Sequence, residues 1–308
     1  MEYYILKELI LFCKNNSFEM FIKRFKHQDV FALLGIPEQP MVNVYNMLRS
    51  TILVNLKDGW DKLSIDSASI GNQPKYINRN LGKFIKLRYS YGNTFFKDYF
   101  VEILASNVFS SSVLGVNILQ QNLVLTNEGF GVISDVFTTT EQTYESFYQV
   151  ARKHSKLNLP KFDIPRMDRL MTIYEDYIKV DAIDYLLVMI FIDCVVLNED
   201  RHLRNFGYLR DKSSNVLPPL FDFGQGLFEN KLIYKDLNLK EALLEVEHKP
   251  FNHDNLTVLK ALYDTHLREK ITYLHKNMHD VSHLVFPNKL AIEYYSYIRK
   301  ELSALCEH

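Results

Sequence analysis

Three side chains between positions 197 and 226 have the types and the spacing that phosphoryl transfer requires. Asp200 is followed five residues later by Asn205, and Asp222 comes after a further short stretch, in the run Phe-Asp-Phe-Gly. Phosphoryl transfer asks a protein to position an acceptor hydroxyl and to hold a divalent metal on the nucleotide phosphates. We expect Asp200 to accept the hydrogen bond of that hydroxyl, and Asn205 and Asp222 to bind Mg²⁺.

The sequence around these residues predicts the elements that would position them. An apolar, helix-like run covers 182–197, and the polar loop 198–205 follows it. Two short apolar runs, 206–209 and 217–221, flank a turn-rich stretch and predict a hairpin. Each motif alone is common by chance. Their order, with helix, loop, hairpin and acidic residue in sequence, favours a phosphotransferase site over an ordinary solvated loop.

The string DRHLRNFG at 200–207, with PLFD at 219–222, resembles the catalytic segment of the HipA-like kinases. These are bacterial serine/threonine kinases that include the HipA toxins and smaller, secreted CtkA-type kinases. The resemblance implies that Asp200 is the catalytic Asp, that Asn205 and Asp222 are the Mg²⁺ ligands, and that ATP is the phosphoryl donor. The order Asp-Arg-His-x-x-Asn is also similar to the catalytic loop of phosphoinositide kinases. A lipid or small-molecule kinase is therefore one alternative, and a catalytically idle ATP-binding module is another.

An upstream loop, 64–76, carries small residues, amide side chains and a lysine. Such a loop can offer backbone N–H groups and a cation to phosphate oxygens. Its Gly-x-Gln-x-Lys core is similar to the phosphate-binding loop of HipA-like kinases, in which a preceding serine can be autophosphorylated. The candidates for autophosphorylation are Ser67 and Ser69. The expected ATP-binding residues of this loop are Ser69, Gly71, Asn72, Gln73 and Lys75.

A lysine and a glutamate further along predict an ion pair. The alternating run 83–89 is typical of a strand and carries Lys86, while 95–109 has helix-spaced apolar residues and carries Glu102. A strand-borne lysine beside an ATP site can contact the α- and β-phosphates when a helix glutamate holds it. We assign Lys86 and Glu102 to the catalytic set, with Lys83 as the fallback lysine.

Two further strands, 116–125 and 129–137, are predicted with a hairpin turn between them. The chain then leaves the small lobe through 135–138. By position this segment is the hinge that would meet adenine, and Asp135 and Phe137 are its expected ATP-binding residues.

The composition indicates a globular protein. At 308 residues and 47% hydrophobic content the chain can form a sizeable core, and its net charge of −1 predicts no nucleic-acid partner. We expect no membrane segment. Three widely spaced cysteines, Cys13, Cys194 and Cys306, favour a reducing compartment. The expected location is the cytoplasm, and the CtkA-type resemblance leaves secretion into a host as the alternative.

The predicted fold is α+β and two-lobed, like the protein-kinase fold. It has an extra helical N-terminal segment at 1–50, a small antiparallel β N-lobe at 51–138 and a larger helical C-lobe at 139–308. Helices are expected at 18–34, which Ser17 would cap, and across 141–154. The resemblance implies a protein substrate and suggests an antitoxin or regulatory partner.

Three more residues of the polar loop have assigned roles. His202 is interpreted as a structural residue that orients Asp200 or Asp222. Arg201 and Arg204 could contact phosphate or an acidic substrate, and simple solvation of both arginines is the equally weighted alternative.

Overall fold

The chain forms two compact units of mixed helix and strand. The computed structural model describes residues 2–63, 73–87, 90–91, 94–95, 98–153, 170, 172–212, 214–229, 234, 236–246 and 254–307. The first unit comprises 1–104, 120–136 and 280–289, and the second comprises 105–119, 137–279 and 290–308. The helical N-terminal segment thus belongs to the same compact unit as the strands that follow it.

Four helices open the first unit. Their bounds are α1 Glu2–Asn15, α2 Phe18–Arg24, α3 His27–Leu34 and α4 Met41–Ser50. The Ser17 side chain accepts a hydrogen bond from the Met20 N–H at the start of α2, as predicted. The single helix expected at 18–34 is wrong, because Phe25 and Lys26 adopt extended backbone angles and separate α2 from α3. Gly35 ends α3 with a φ of 60°, which glycine tolerates at no steric cost.

A six-stranded sheet forms the rest of the first unit. Its strands are β1 Ile52–Val54, β2 Asp61–Lys62, β3 Lys75–Asn78, β4 Lys83–Leu87, β9 Gln121–Thr126 and β10 Gly129–Asp135. Two further short strands, β5 and β6, are Ser90–Tyr91 and Thr94–Phe95. The spatial order is β1-β9-β10-β4-β3-β2. Neighbours from β9 to β2 are antiparallel, as predicted, and β1 joins β9 in parallel at one edge.

Both faces of this sheet are covered, because successive strand residues point to opposite sides. Leu123, Leu125 and Val132 pack into one cluster with the buried residues of α1–α4. Val124 and Ile133, the alternate residues, pack into a second cluster on the other face. The N-terminal helices are therefore part of the core that supports the strands.

Side-chain hydrogen bonds attach the segment 280–289 to this helical layer. The Gln39 amide donates to the Phe286 carbonyl at 3.2 Å and accepts from the Phe286 N–H at 3.0 Å. Asn43 donates to the Ser282 carbonyl at 3.2 Å. Paired backbone groups of this kind let a segment without regular structure lie on a buried surface.

The second unit is mostly helical. Its strands are β7 Ser112–Val113, β8 Val116–Asn117, β11 Thr143–Ser146, β12 Gly207–Arg210 and β13 Asn215–Val216. Its helices are α6 Phe147–Lys153, α7 Ile183–Val195, α8 Leu239–Leu244, α9 Asn255–Tyr263 and α10 Arg268–Asn277, with a π-helical turn at Tyr174–Ile178. Two helices have residues that belong to both units. They are α5 Asp98–Asn107 and α11 Lys289–Cys306.

The helix expected at 141–154 is only partly correct. Residues 143–146 form β11, which pairs antiparallel with β12, and α6 begins only after it. The run Thr-Tyr-Glu-Ser has the β-branched and aromatic residues that favour a strand. The predicted hairpin at 206–221 is shorter than expected, because β12 pairs with a two-residue β13 while Leu220 bridges to Ile118.

Helix α7 lies at the centre of the second unit. Every residue from Tyr185 to Val195 is buried, so all sides of this helix face protein. Its 13 residues fall well short of a membrane span, and none of the helices in the described ranges is both long and apolar enough to cross a bilayer. Asp193 is a carboxylate within this apolar helix, and its partners define the site described below.

Replacing Leu48 by alanine tests the helical layer of the first unit. Leu48 is fully buried in α4, so Leu48→Ala should lower the free energy of unfolding by about 2–5 kcal/mol in urea denaturation. The matched control is Leu81→Ala, because Leu81 is 64% exposed in the turn before β4 and should change stability by no more than about 0.5 kcal/mol. Equal losses in the two variants would contradict a core role for α4.

Candidate active site

Arg201 connects helix α7 with the two segments of the second unit that carry the predicted catalytic residues. Its side chain is 1% exposed, and its Nε and Nη2 atoms donate to the two carboxylate oxygens of Asp193, each at 2.9 Å. Its Nη1 atom donates both to the Asn205 carbonyl at 3.2 Å and to the Phe221 carbonyl at 3.0 Å. One guanidinium thus joins the end of the polar loop, the residue before Asp222, and helix α7.

The arginine is fixed by charge and by an aromatic ring. Burial alone would lower the pKa of the Arg201 guanidinium, but the charge and hydrogen bonds of Asp193 raise it, so the group stays charged. Its central carbon lies 4.6 Å from the centre of the Phe223 ring. A buried charge is tolerated when it is paired and hydrogen-bonded, and Arg201 is paired with Asp193 and makes four hydrogen bonds. The expectation that Arg201 contacts phosphate or is solvated is wrong, because its fork is already occupied inside the protein.

Two asparagines complete the surroundings of Asp193. Asn198 donates to the Asp193 carboxylate at 2.8 Å. Asn255 in α9 donates to the Asp193 carbonyl at 3.0 Å and to the Asn198 carbonyl at 3.2 Å. All three side chains are buried, so the polar loop starts from a rigid, fully hydrogen-bonded base.

The polar loop folds back on itself between Asp200 and Asn205. The Asp200 N–H donates to the Asn198 side chain at 3.2 Å, and the Asn205 N–H donates to the His202 carbonyl at 2.9 Å. The Asn205 amide nitrogen donates to the Asp200 carbonyl at 3.3 Å. The His202 ring nitrogen Nε2 lies 3.8 Å from an Asp200 carboxylate oxygen, which agrees with a supporting position beside that residue.

The orientation of Asn205 suits a metal ligand. Because its amide nitrogen is directed to the Asp200 carbonyl, its oxygen Oδ1 points elsewhere, and no donor in the described ranges bonds to it. A carbonyl oxygen and a carboxylate are the ligands that Mg²⁺ prefers. Asp222 has a φ of 62°, in the left-handed region that few non-glycine residues adopt. Asn205 and Asp222 therefore fit the group that the sequence predicts for them.

The chain after Asp222 is locked to the chain before Asp200. The Leu227 N–H donates to the Val196 carbonyl and the Glu199 N–H donates to the Gln225 carbonyl, each at 2.9 Å. Gly226 allows this close approach, because a Cβ atom there would lie 2.2 Å from the Val196 carbonyl oxygen. The glycine thus sets the spacing between the two segments that carry the acidic residues.

The first unit contains the predicted lysine–glutamate pair. The Lys86 ammonium in β4 donates to Glu102 in α5 at 3.0 Å, and the Glu102 side chain is only 2% exposed. Gln121 in β9 donates to the other Glu102 oxygen at 2.9 Å. Glu102 is thus held from two sides, with one oxygen for each partner. The ion pair is formed, and its role in ATP binding stays a prediction.

The remaining predicted residues have different positions. Lys75 lies opposite Lys86 in the pairing of β3 with β4, so two lysines occur at one level of the sheet. Asp135 forms an ion pair with Lys83 at 2.5 Å, which occupies the fallback lysine. Phe137 stacks on Phe221 in the second unit, with ring centres 5.3 Å apart.

Four predicted residues lie outside the described residues. These are Ser67, Ser69, Gly71 and Asn72. Their roles in phosphate binding and autophosphorylation stay predictions. Among the residues that the structure does describe, no group of three or more histidine, cysteine or acidic side chains could hold a metal by itself.

The sequence reasoning missed Asp193 and Gln121. A signal for Asp193 was available, because an acidic residue that directly follows the apolar run 185–192 must find a partner, and Arg201 follows eight residues later. No signal identified Gln121, since an amide at the start of a strand is ordinary, and only the tertiary structure brings it to Glu102.

Comparison with known proteins supports the fold. The chain is similar to the crystal structure of the Helicobacter pylori proinflammatory kinase CtkA, with a TM-score of 0.55 and 16% identity over 82% of this chain and 94% of that chain. This likeness shows that the two share a fold, so the predicted kinase-like α+β fold is confirmed. No protein-family model matches the sequence, and no relative was found among curated proteins.

A second similar structure is the HipA toxin of Shewanella oneidensis MR-1 in complex with HipB and operator DNA. The match has a TM-score of 0.34 and 12% identity, and it covers 92% of this chain and 70% of that chain. That TM-score is too low to establish a shared fold.

Removing the Asp193 carboxylate tests the centre of the site. Asp193→Ala leaves the Arg201 charge buried without its partner, so we expect a loss of about 3–5 kcal/mol in the free energy of unfolding. The control is Glu141→Ala, which removes the partner of the exposed Lys212 and should cost no more than about 1 kcal/mol. Urea denaturation measures both, and a loss below about 1 kcal/mol for Asp193→Ala would contradict the role of this pair.

Proposed function

We propose that the protein is an ATP- and Mg²⁺-dependent kinase that transfers the γ-phosphoryl group to a serine or threonine hydroxyl of a protein. The observation that carries the proposal is the Arg201 guanidinium, which ties the carbonyl of Asn205 to the carbonyl of Phe221, the residue before Asp222. The three predicted catalytic residues are thereby held by one buried framework. The fold shared with a protein described as a kinase, together with the resemblance to HipA-like kinases, supports the reaction class.

Each of the three candidate residues of the second unit, Asp200, Asn205 and Asp222, has one task in this proposal. Asp200 accepts the hydrogen bond of the acceptor hydroxyl and orients its oxygen for attack on the γ-phosphorus. As the new oxygen–phosphorus bond forms, the bond to the β-phosphate oxygen breaks, and the hydroxyl proton passes to Asp200. Asn205 and Asp222 would hold Mg²⁺, which neutralises charge on the phosphate oxygens when it is bound.

The first unit supplies the cations for the nucleotide. Lys86, oriented by Glu102, would contact the α- and β-phosphates. Lys75, which lies opposite Lys86 on the adjacent strand, would supply a second cation. Gln73 begins the described chain before β3 and belongs to the proposed phosphate loop. Asp135 and Phe137 stay the proposed adenine-side residues. Autophosphorylation and an antitoxin or regulatory partner also stay predictions.

The intact mass of the protein tests the proposal. The purified chain is treated with phosphatase, repurified, and incubated with ATP and Mg²⁺ beside Asp200→Asn. We expect the wild-type protein to gain the mass of at least one phosphate and the variant to gain none, because the variant lacks the acceptor for the hydroxyl proton. Peptide mapping would then show whether the phosphate is on Ser67 or Ser69.

Release of ADP in the presence of acceptors is the companion measurement. A mixed protein extract and phosphoinositide vesicles are offered separately with labelled ATP. Label on lipid alone would contradict the protein acceptor, and absence of both ADP and label with every acceptor would contradict the kinase proposal itself.

Replacing Gln121 tests the ion pair of the first unit. Gln121→Leu removes one donor from Glu102, so the carboxylate is less firmly held and Lys86 is less well oriented. We expect ATP to bind roughly 3- to 10-fold more weakly by calorimetry, a loss of about 1 kcal/mol, because the lost hydrogen bond acts on ATP only through Glu102 and Lys86. The control is Gln39→Leu. Gln39 lies between α3 and α4 of the same unit, so its replacement should leave ATP affinity unchanged. Unchanged affinity in Gln121→Leu would contradict this role.

A further inference from the structure

Two arginines stack on one tyrosine beside the polar loop. The Arg204 guanidinium carbon lies 4.6 Å from the centre of the Tyr148 ring, and that of Arg152 lies 5.9 Å from it. Tyr148 is half-buried, whereas both arginines are exposed. Stacking on an aromatic face restrains a guanidinium while its edge donors stay available to a ligand. The ring therefore presents two partly ordered cations to the solvent.

The tyrosine is fixed to the loop that carries the catalytic Asp. The Tyr148 N–H donates to the Leu203 carbonyl at 2.8 Å, and the Tyr144 hydroxyl donates to the Arg204 carbonyl at 3.2 Å. Arg204 itself is four residues after Asp200 and adjacent to Asn205. The start of α6 and the catalytic loop thus form one hydrogen-bonded surface, and the arginine pair belongs to it.

The carboxylate on this surface is already occupied. Glu145 forms ion pairs with Lys153 and with Arg210, and it accepts a hydrogen bond from the Tyr208 hydroxyl. Burial would raise the pKa of Glu145, but the hydrogen bonds from Lys153 and Tyr208 and the charge of Arg210 lower it, so this group is ionised and shared by two cations.

The surface therefore carries more positive than negative charge. Within the described part of the chain, neither Arg152 nor Arg204 has an ion pair. An excess of fixed positive charge next to the acceptor position attracts a ligand of opposite charge.

We infer that Arg152 and Arg204 bind the carboxylates of an acidic segment next to the acceptor serine or threonine, which makes acidic proteins the substrate class of the proposed kinase. This inference rests on the proposed function. A guanidinium fork matches a carboxylate with two parallel hydrogen bonds. Membrane surfaces that carry anionic lipids are bound by clusters of about four to eight cations, and a pair on one ring is better suited to a short peptide.

Peptide binding tests the inference separately from catalysis. Three fluorescent peptides share one serine and differ only in its neighbours, which are glutamate, glutamine or lysine. Their anisotropy is measured with the wild-type protein in the presence of Mg²⁺ and a nonhydrolysable ATP analogue. We expect the glutamate peptide to bind about 10-fold more tightly than the glutamine peptide, with the lysine peptide weakest, because two charge-assisted contacts distinguish them.

Three variants show whether the arginine pair is responsible. The double variant Arg152→Gln/Arg204→Gln should remove the preference for glutamate, and Tyr148→Leu should reduce it, since both cations lose their support. The matched control is Arg268→Gln, because Arg268, at the start of α10, is also exposed and stacks on a tyrosine, Tyr263 of α9, at 4.9 Å. It should retain the full preference.

The outcomes separate the two proposals. Equal binding of all three peptides, or a preference that survives the double variant, would overturn the inference. Vesicles containing phosphatidylinositol phosphates that bind in an arginine-dependent way, when the glutamate peptide does not, would assign the site to lipid instead. ADP release is measured in parallel. ADP release with equal binding of the three peptides would refute only the role of the arginine pair. Absence of ADP in every reaction would refute both the kinase activity and the proposed acceptor site.

Discussion

The pairing of Arg201 with Asp193 is the constraint on which the candidate site depends. Every residue of helix α7 from Tyr185 to Val195 is buried, so the carboxylate of Asp193 must have a partner inside the protein. The partner also binds the carbonyls of Asn205 and Phe221. A single buried charge pair therefore determines where the polar loop ends and where the segment bearing Asp222 begins. We propose that this pair contributes less to net stability than to the choice of one arrangement for the polar loop.

Support in the first unit is organised differently. There the two lysines proposed for phosphate binding, Lys75 and Lys86, lie on strands. The sheet carries a buried apolar cluster on each face, and one of these clusters includes residues of helices α1–α4. Lys86 and Glu102 come from different elements, a strand and a helix, and Gln121 from a third. A rigid sheet fixes the position of the lysine backbone, and a buried carboxylate fixes the direction of the lysine side chain.

Much of this arrangement could be predicted because it depends on local patterns. The helix before Asp200 is a long continuous apolar run, and the strand that carries Lys86 and the helix that carries Glu102 each have an apolar periodicity. The split between α2 and α3 could not be predicted, because Phe25 has no breaker beside it and its extended conformation follows from packing on Phe12 and Phe21. The strand at 143–146 was missed because its pairing partner lies more than 60 residues away.

The roles of single polar residues were harder to predict than the elements. Arg201 and Arg204 are three residues apart and look alike in the sequence, yet one is buried against Asp193 and the other is exposed on Tyr148. Their difference comes from long-range contacts, which a single sequence does not contain. Asn205 could be predicted as a ligand, whereas the hydrogen bond that orients its amide became visible only in the folded loop.

A crystal structure of the protein with Mg²⁺ and a nonhydrolysable ATP analogue would test the proposed nucleotide and metal site. We expect a metal ion about 2.0–2.1 Å from Asn205 Oδ1 and from an Asp222 carboxylate oxygen, with Lys86 in contact with the phosphates. A nucleotide bound elsewhere, or a metal ion that touches neither Asn205 nor Asp222, would contradict it.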